Sequence, residues 1–327
     1  MKDAPTVVAT IVTHNRRADL VECLHALTRQ TRHADAVIVI DNASTDGTPQ
    51  VLAERRGICV IRLESNIGGA GGFRRAIDEG LAADADYLWV MDDDCLPSAD
   101  ALERLTDAAA AHRATERLAG FVPTVIFSQA HRPCGFVFSP ALAAGELDGG
   151  PFLGLLLTAD ACRAIGPVRD DFFIREDDTE YCIRLRIAGW RFRAVPDATV
   201  SHPFERPLVK TLFGRRITVA ASDPWKQYYE SRNSLIVAMQ MRGSPLGSPV
   251  GTPLSMSRWV VGELKQIVLI LLVDRRWGWR RVIMRSWGRI DALRGLTGAT
   301  VAPGQTLPTL GRGKIRSAVR RSHAPEK

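Results

Sequence analysis

The sequence lacks paired cysteines, long apolar runs and short repeats. Its six cysteines are scattered singly without a nearby histidine cluster, so neither a zinc ribbon nor a disulfide framework is indicated. In the most apolar stretch, 257–273, the longest uninterrupted run is Ile267 to Val273, whereas a membrane-spanning helix needs about 20 apolar residues. Glycine follows no triplet period, which excludes collagen. These absences favour an ordinary folded chain in a reducing compartment.

The amino-terminal apolar run, Val7 to Val12, follows a start that is only weakly cationic. A secretory signal has a positively charged beginning and a longer apolar stretch. We therefore expect a cytoplasmic protein.

The sequence does have a large apolar fraction and an uneven charge distribution. Of its 327 residues, 46% are hydrophobic and 24% are charged, as in folded enzymes rather than disordered chains. Residues 1–202 carry a net charge of −8, whereas residues 203–327 hold 22 lysines and arginines against 7 acidic residues, a net charge of +15. The basic part predicts a phosphate-bearing partner, either nucleic acid or an anionic membrane.

The first two hundred residues alternate between strand and helix patterns, which predicts an α/β fold with a sheet flanked by helices. In such sheets, ligands bind outside the carboxyl ends of the strands. The predicted strands are Val7–Thr13, Ala36–Ile40, Ile58–Leu63, Tyr87–Met91 and Val195–His202. The predicted helices are Arg16–Gln30, Thr48–Arg55, Phe73–Ala83 and Ser98–His112.

Asp92, Asp93 and Asp94 directly follow a predicted strand and are the clearest chemical signal. Three adjacent carboxylates repel one another, so burying them together requires a cation, and hard oxygen ligands suit Mg²⁺ or Mn²⁺. His202 could complete the set of metal ligands. Asp177 and Asp178 lie before a helical segment, and a carboxylate there could serve as a general base for a hydroxyl nucleophile. The alternative is a solvated acidic patch with a structural histidine.

Four glycines between Asn66 and Phe73 precede a predicted helix. Such a turn lets backbone amides approach an anion closely. It is not the dinucleotide fingerprint, because Arg74 stands where the third glycine would be, and it lacks the Lys-Ser/Thr of a P-loop. A flexible turn without a ligand is the alternative.

Beyond Trp225 the sequence predicts helices rich in tryptophan and arginine. Residues 257–273 carry apolar side chains at helical spacing, and the next segment interleaves tryptophans with Arg275, Arg276, Arg280, Arg281, Arg285 and Arg289. This pattern predicts an interfacial amphipathic helix, with tryptophan at the level of the lipid headgroups and arginine on their phosphates. The alternative is a helix that packs its apolar stripe on the protein.

Over about residues 5–205 the chain resembles the inverting family 2 glycosyltransferases of GT-A fold, in which six such motifs occur in this order. The motifs are Val-Thr-His-Asn-Arg (12–16), Val-Ile-Asp-Asn-Ala-Ser-Thr-Asp-Gly-Thr (39–48), Asn-Ile-Gly-Gly-Ala-Gly-Gly-Phe (66–73), Asp-Asp-Asp (92–94), Glu-Asp-Asp-Thr-Glu-Tyr-Cys-Ile-Arg-Leu (176–185) and Ser-His-Pro (201–203). The glycine motif together with a full aspartate triplet is most similar to actinobacterial galactofuranosyltransferases, especially those that initiate cell-wall galactan.

The resemblance, together with the basic and helical pattern of the rest of the chain, predicts a domain organisation. Residues 1–205 would form a GT-A (Rossmann-like) mixed sheet flanked by helices, which binds the nucleotide sugar and carries catalysis. Residues 206–302 would form a helical, basic region for acceptor and membrane association, and residues 303–327 a disordered basic tail. The segment Asp223 to Asn233 is similar to an acceptor-side segment of these enzymes.

The resemblance also implies an activity, the metal-dependent transfer of galactofuranose from UDP-galactofuranose to a polyprenyl-diphosphate-linked or cell-wall glycan acceptor. Asp178 would be the general base, with the adjacent Asp177 as the alternative register. The metal, Mn²⁺ or Mg²⁺, would be held by Asp92, Asp94 and His202. The donor-binding residues would be Thr13, Arg16, Asp41, Asn66, Gly68, Gly69, Asp92 and Asp93. The enzyme would associate peripherally with the inner face of the plasma membrane.

Three other functions are alternatives for this sequence. A rhamnosyltransferase would use another donor, such as dTDP-rhamnose, on the same fold. A nucleic-acid-binding protein would explain the basic half, but the sequence contains no nucleic-acid-binding motif, so we expect no such partner. A nucleotidyltransferase would need a basic signature near the first strand, where only Arg16 and Arg17 stand. His14 replaces a tyrosine common among the relatives and is assigned no role.

Overall fold

Strands and helices alternate through the first two hundred residues, and helices dominate the rest. The computed structural model of the chain describes residues 5–112, 117–127, 130–133, 135–137, 142–203, 208–212, 214–219, 222–244, 246–248 and 251–308. The strands are β1 (Val7–Thr13), β2 (Ala36–Asp41), β3 (Cys59–Arg62), β4 (Tyr87–Asp92), β5 (Leu96–Pro97), β6 (Leu118–Phe127), β7 (Ala130–Pro133), β8 (Glu146–Leu147), β9 (Leu153–Thr158), β10 (Arg191–His202), β11 (Leu208–Leu212) and β12 (Arg215–Val219). The helices are α1 (Arg17–Thr28), α2 (Thr48–Glu54), α3 (Gly68–Ala82), α4 (Ala101–His112), α5 (Ala159–Ile165), α6 (Asp177–Ile187), α7 (Pro224–Gln240), α8 (Pro253–Val273) and α9 (Gly278–Leu293).

One mixed sheet organises the amino-terminal two thirds of the chain. Its strand order is β3-β2-β1-β4-β9-β6-β10-β5, with β7 beside β6 and β8 beside β10. The pairs β1–β2, β1–β4 and β2–β3 are parallel, whereas β9 runs antiparallel to both of its neighbours, β4 and β6. The predicted α/β fold with a mixed sheet is confirmed. Because β1, β2 and β4 are parallel, their carboxyl ends meet at one edge of the sheet.

Helices cover both faces of the sheet, because successive side chains of β1 point into two different hydrophobic clusters. Val7, Ala9 and Ile11 belong to the cluster that contains side chains of α1 and α4. Val8 and Val12 belong to the cluster on the other face, with side chains of α3, α5 and α6. A strand buried on both faces needs a nearly continuous apolar run, as this one has.

The carboxyl-terminal helices form a second layer. α7 and α9 lie so close that a Cβ added to Gly288 of α9 would come within 2.3 Å of the Tyr228 carbonyl oxygen. Ion pairs hold α8 on α9, with Glu263 accepting from Arg285 at 3.3 Å and from Arg289 at 2.8 Å. The antiparallel hairpin of β11 and β12 packs beside α8. A close backbone contact therefore joins α7 to α9, and half-buried ion pairs join α8 to α9.

The glycine-rich motif is helical, which corrects the expectation of a turn followed by a helix from Phe73. α3 begins at Gly68 and contains all four glycines. A Cβ added to Gly72 would meet Val12 Cγ1 of β1 at 2.5 Å. The small residues therefore let the first turns of the helix approach the sheet, a packing role that outweighs their poor helix propensity.

Strand β10 also departs from its predicted bounds. It begins at Arg191 rather than Val195, and its register against β6 shifts between Val195 and Thr199. Pro196 and Asp197 lie in this bulge, which lets the strand continue past a proline that could not donate to the ladder.

The predicted boundary between residues 205 and 206 stays a prediction. Most of the predicted tail, from residue 309 onward, lies outside the described residues. Among the helices of the described ranges, none combines the length and the hydropathy that crossing a membrane requires.

Candidate active site

Strand register places three predicted residues at the same edge of the sheet. Thr13 lies opposite Asp41 in the β1–β2 pair, and Val12 lies opposite Asp92 in the β1–β4 pair. Thr13, Asp41 and the aspartate triplet therefore follow neighbouring strands at their carboxyl ends. This edge is where open α/β sheets bind ligands.

His202 reaches the aspartate triplet through a short strand pairing. β5 begins two residues after Asp94 and pairs antiparallel with β10, so that Leu96 lies opposite Ser201. His202 Nε2 is 2.9 Å from Asp94 Oδ1. Ligand atoms of Asp92, Asp94 and His202 all lie within 4.8 Å of one another. The structure thus brings together the three residues proposed from the sequence as metal ligands.

The electrostatics of these three residues fit a divalent cation. Burial, followed by repulsion from Asp93 and Asp94, raises the pKa of Asp92 well above its ordinary value. Asp94 Oδ1 and His202 Nδ1 are buried, and neither has a well-oriented hydrogen-bond partner within the described part of the chain. Two carboxylates and an imidazole suit Mn²⁺, and the carboxylates suit Mg²⁺. Asp92, Asp94 and His202 could therefore hold either cation.

Arg16 and Thr13 contact the other carboxylates of the triplet. Arg16 Nη1 bonds to Asp94 Oδ2 and lies 3.9 Å from Asp93 Oδ1. Burial raises the pKa of Asp94, but His202 and Arg16 outweigh burial and hold it below the ordinary value. Asp93 Oδ2 accepts a hydrogen bond from Thr13 Oγ1 at 2.7 Å, and burial raises its pKa to about 7. These four residues form one polar cluster, on the side predicted to bind the donor.

Asp41 is the last residue of β2, and its buried carboxylate has a hydrogen bond to only one of its two oxygens within the described chain. Its side chain is 1% exposed, and its Oδ1 accepts from Ser44 N at 2.9 Å. Asp41 Oδ2 is buried, and no group of the described chain hydrogen-bonds to it, although Arg62 Nε lies 3.6 Å away. A buried acceptor without a partner is costly, so this oxygen is suited to accept an N–H from a ligand.

Asn42 connects β2 to the start of α3, a role that the sequence analysis missed. Its Oδ1 accepts from Ile67 N and its Nδ2 donates to the Gly68 carbonyl, both at 2.9 Å. Asn66 Oδ1 accepts from Gly68 N at 2.8 Å. The available signal was the position of Asn42, directly after a strand-ending aspartate and before a glycine motif.

The two glycines predicted to bind the donor differ in surroundings. A Cβ on Gly68 would lie 2.0 Å from the Phe173 carbonyl oxygen, and this residue has a φ of +80°. A Cβ on Gly69 would meet nothing within 4 Å among the described residues. Gly68 is therefore required by the close approach of the segment before α6, whereas Gly69 leaves open space at the amino terminus of α3.

Asp177 and Asp178 form the first turn of α6. Asp178 Oδ1 accepts from the Thr179 backbone N at 2.6 Å and from Thr179 Oγ1 at 3.2 Å. Burial raises the pKa of both aspartates, and repulsion from Asp178 adds to the effect on Asp177. Repulsion from Asp177 in turn contributes to the raised pKa of Asp92. A carboxyl group with a raised pKa is suited to accept a proton as a general base.

The chain is similar to known glycosyltransferases in sequence. Residues 9–133 match the family model described as "Glycosyl transferase family 2". The galactofuranosyltransferase GlfT1 of Mycobacterium tuberculosis is 30% identical over 306 residues, which cover 87% of this chain and 95% of that protein. The N-acetylglucosaminyl-diphospho-decaprenol L-rhamnosyltransferase of the same organism is 27% identical over 238 residues, which cover 62% and 76% of the two proteins.

The fold also has solved counterparts. The mannosyltransferase PcManGT from Pyrobaculum calidifontis, in complex with GDP-Man and Mn²⁺, superimposes with a TM-score of 0.54 at 15% identity. The match covers 89% of this chain and 88% of that one. At this identity the likeness concerns the fold, and it confirms the predicted GT-A architecture.

Replacing Asp94 by Asn is expected to weaken Mn²⁺ binding by about tenfold or more, because the change removes one carboxylate from the three candidate ligands. Isothermal titration with Mn²⁺, with and without UDP, measures the affinity. Asp100→Asn is the matched control, since it removes the same charge from a carboxylate that pairs with Arg104 at 2.6 Å outside the site. Equal Mn²⁺ affinity in D94N and the wild type would contradict the assignment.

Proposed function

This chain belongs to glycosyltransferase family 2, and we propose that it transfers galactofuranose from UDP-galactofuranose to a lipid-linked or cell-wall glycan acceptor, with inversion at the anomeric carbon. The observation that carries the proposal is the closeness of Asp92, Asp94 and His202 at the carboxyl edge of the sheet. The similarity to GlfT1, which covers 95% of that protein, supports the choice of donor sugar.

The nucleotide would bind across the ends of β1 and β2. Asp41 Oδ2, buried and with no hydrogen bond from the described residues, would accept the N3–H of the uracil. Thr13 and Arg16 would line the pocket beside it, and Asn66 would lie near the donor. The open space at Gly69 would let the backbone at the start of α3 approach the donor closely.

The diphosphate would lie at the aspartate triplet. Asp92, Asp94 and His202 would hold Mn²⁺ or Mg²⁺, which when bound stabilises the negative charge that develops on the departing UDP. Asp93 and Arg16 would complete the polar wall on the donor side. Arg16 already lies beside two carboxylates of this wall, so it is placed to balance charge there when the anionic donor enters.

Asp178 would act as the general base. It would take the proton from the acceptor hydroxyl while that oxygen forms a bond to the anomeric carbon, and the bond from that carbon to the UDP oxygen would break with its electron pair leaving on UDP. The raised pKa of Asp178, caused by burial, supports this role, because a base works best when its pKa approaches the operating pH. Asp177 is the alternative base.

The similarity to a rhamnosyltransferase supports an alternative donor. The 27% identity to a rhamnosyltransferase leaves dTDP-rhamnose as the alternative donor on the same fold. The acceptor is proposed only as a class, a polyprenyl-diphosphate-linked or cell-wall glycan.

Incubation with Mn²⁺ and single donors is expected to release UDP from UDP-galactofuranose and to leave dTDP-rhamnose intact, because the similarity to GlfT1 favours the former donor. Coupled detection of the free nucleoside diphosphate, with an acceptor lipid extract present, measures the reaction. UDP-galactopyranose serves as the control for the ring form of the sugar. Turnover with dTDP-rhamnose alone would overturn the donor assignment.

Asp178→Asn is expected to lower kcat by about 10² or more while leaving UDP affinity near that of the wild type, since the amide keeps the shape but cannot accept the proton. Steady-state kinetics and UDP titration measure the two quantities separately. Asp177→Asn, made in parallel, distinguishes the two candidate bases. Full activity of D178N together with a large loss in D177N would transfer the role to Asp177.

A membrane surface is proposed as the docking partner, on the basis of an exposed apolar helix face. Of the 21 residues of α8, all described, Ile270 alone is buried. Its outward apolar side chains include Val261, Leu264 and Val268. An apolar surface of this extent, next to basic side chains, is typical of helices that lie in the lipid interface.

The arginines around α8 separate into two groups, which corrects part of the sequence expectation. Arg275 and Arg276, at the turn between α8 and α9, are exposed and suited to contact lipid phosphates. Arg281 is buried, with its Nη1 2.5 Å from Asp274 Oδ2, and Arg285 and Arg289 pair with Glu263. The basic surface available to an anionic membrane is therefore smaller than the sequence indicates.

The triple variant Val261→Asn/Leu264→Asn/Val268→Asn is expected to reduce partitioning onto phosphatidylglycerol-containing vesicles by about tenfold or more, because three apolar side chains lose their transfer free energy. Vesicle cosedimentation measures the partitioning. Val137→Asn is the control, because Val137 and Val261 are both 64% exposed. Unchanged partitioning of the triple variant, or salt-sensitive retention on RNA instead of vesicles, would contradict the membrane proposal.

A further inference from the structure

The segment that leads into α6 has an unusual backbone. Phe173, Arg175 and Glu176 have φ angles of +66°, +69° and +64°, in the left-handed region that residues other than glycine rarely adopt. Such conformations persist only where the surrounding structure holds them in place. Because Glu176 directly precedes Asp177, whatever holds this segment also determines where the two candidate base residues point.

Asn233 of α7 is the main contact that holds the segment. Its Nδ2 donates to the carbonyls of Phe172, Ile174 and Arg175 at 3.1, 3.0 and 2.9 Å. The side chain is fully buried. The two hydrogens of this amide nitrogen therefore serve three carbonyls around the left-handed residues, so one hydrogen is shared between two acceptors.

Arg232 supports the same segment and also orients Asn233. Its Nη2 donates to the carbonyls of Asp171 and Phe172 at 3.2 and 3.0 Å, and its Nε donates to Asn233 Oδ1 at 2.9 Å. This last bond fixes which end of the amide faces the carbonyls. Arg232 is fully buried as well, and burial lowers the pKa of its guanidinium. The charge is tolerated because carbonyl oxygens surround it.

The remaining carbonyl of the segment, that of Phe173, accepts a hydrogen bond from α3 rather than from α7. The Phe173 carbonyl accepts from Ala70 N of α3 at 3.1 Å. All five carbonyls from residue 171 to residue 175 thus accept hydrogen bonds from α7 or α3. Because buried backbone groups must be paired, these donors, rather than the intrinsic preferences of the segment, select its conformation.

We propose that Asn233, oriented by Arg232, is a positioning residue that sets the direction of the Asp178 carboxylate toward the acceptor hydroxyl. The inference rests on the proposed function, in which Asp178 removes the acceptor proton. An amide suits this position because its Nδ2 can only donate. An aspartate of the same shape would direct oxygens at three carbonyl oxygens and repel them, so the segment would relax and Asp178 would move.

Asn233→Asp is therefore expected to lower kcat by about 10², the scale of a misplaced catalytic group, with the KM for the donor and the UDP affinity within about twofold of the wild type. Rates are expressed per UDP-binding site, which corrects for any unfolded fraction. Hydrogen exchange of the amides of residues 173–178 is expected to accelerate in the variant. The donor used is whichever one the wild type turns over.

Ser231→Ala is the matched control. Ser231 is the neighbouring residue of α7, is fully buried and donates to the Arg285 carbonyl of α9 at 2.7 Å rather than to the segment. Loss of the Ser231 hydroxyl is expected to leave kcat, and the rate of amide hydrogen exchange of residues 173–178, within about twofold of the wild type. If N233D binds no UDP, Asn233→Ser replaces it, with one neutral donor retained and an expected kcat loss of about tenfold.

Several results would overturn the positioning role. Retention of wild-type kcat by the folded Asn233 variant would do so, as would unchanged exchange of residues 173–178 or an equal kcat loss in S231A. A wild-type enzyme that turns over none of the donors would instead overturn the proposed function, so the two failures are distinguishable.

Discussion

Repulsion among three consecutive carboxylates is the constraint around which the site is built. Asp92, Asp93 and Asp94 follow a strand buried on both faces, where negative charge is costly. Arg16 and His202 lie beside Asp94, Thr13 donates to Asp93, and the pKa of Asp92 is raised. These partners come from the end of β1 and the end of β10, so the acidic cluster exists only when distant strands have assembled.

A second constraint concerns the backbone before α6. Its left-handed residues lie between α3 on one side and α7 on the other, and each helix supplies hydrogen bonds. The glycine motif takes part in this arrangement, since Gly68 leaves room for the Phe173 carbonyl. The start of α3, which would approach the donor, is therefore in direct contact with the segment that leads into α6, and the first turn of α6 would carry the base.

The sequence predicted those parts of the site that depend on local pattern. A strand of continuous apolar residues with polar side chains at its end located the triplet, and the resemblance supplied Thr13 and Asp41. The pairing of His202 with Asp94 depends on β5, a strand of two residues that leaves no periodic signal. Helical spacing gave the faces of α9 but not which face is buried, so Arg281 was expected at a lipid surface and is found beside Asp274. Asn233 lies in the segment that resembles an acceptor-side segment, but the sequence gave no sign of its contacts, because its three acceptors are backbone atoms about sixty residues away.

The backbone contact at Gly288 limits how the carboxyl-terminal layer can move. At this contact no side chain lies between the two backbones, and beside it Tyr228 of α7 donates to Asp291 of α9 at 2.7 Å. Close packing of this kind resists sliding, so we expect α7 and α9 to move together. α7 in turn holds the segment before α6 through the hydrogen bonds of Asn233, and α8 packs on α9 through the ion pairs of Glu263. An enzyme docked through α8 would thus hold its base at a fixed distance from the lipid headgroups. It would then favour acceptors whose reactive hydroxyl extends that same distance from the bilayer.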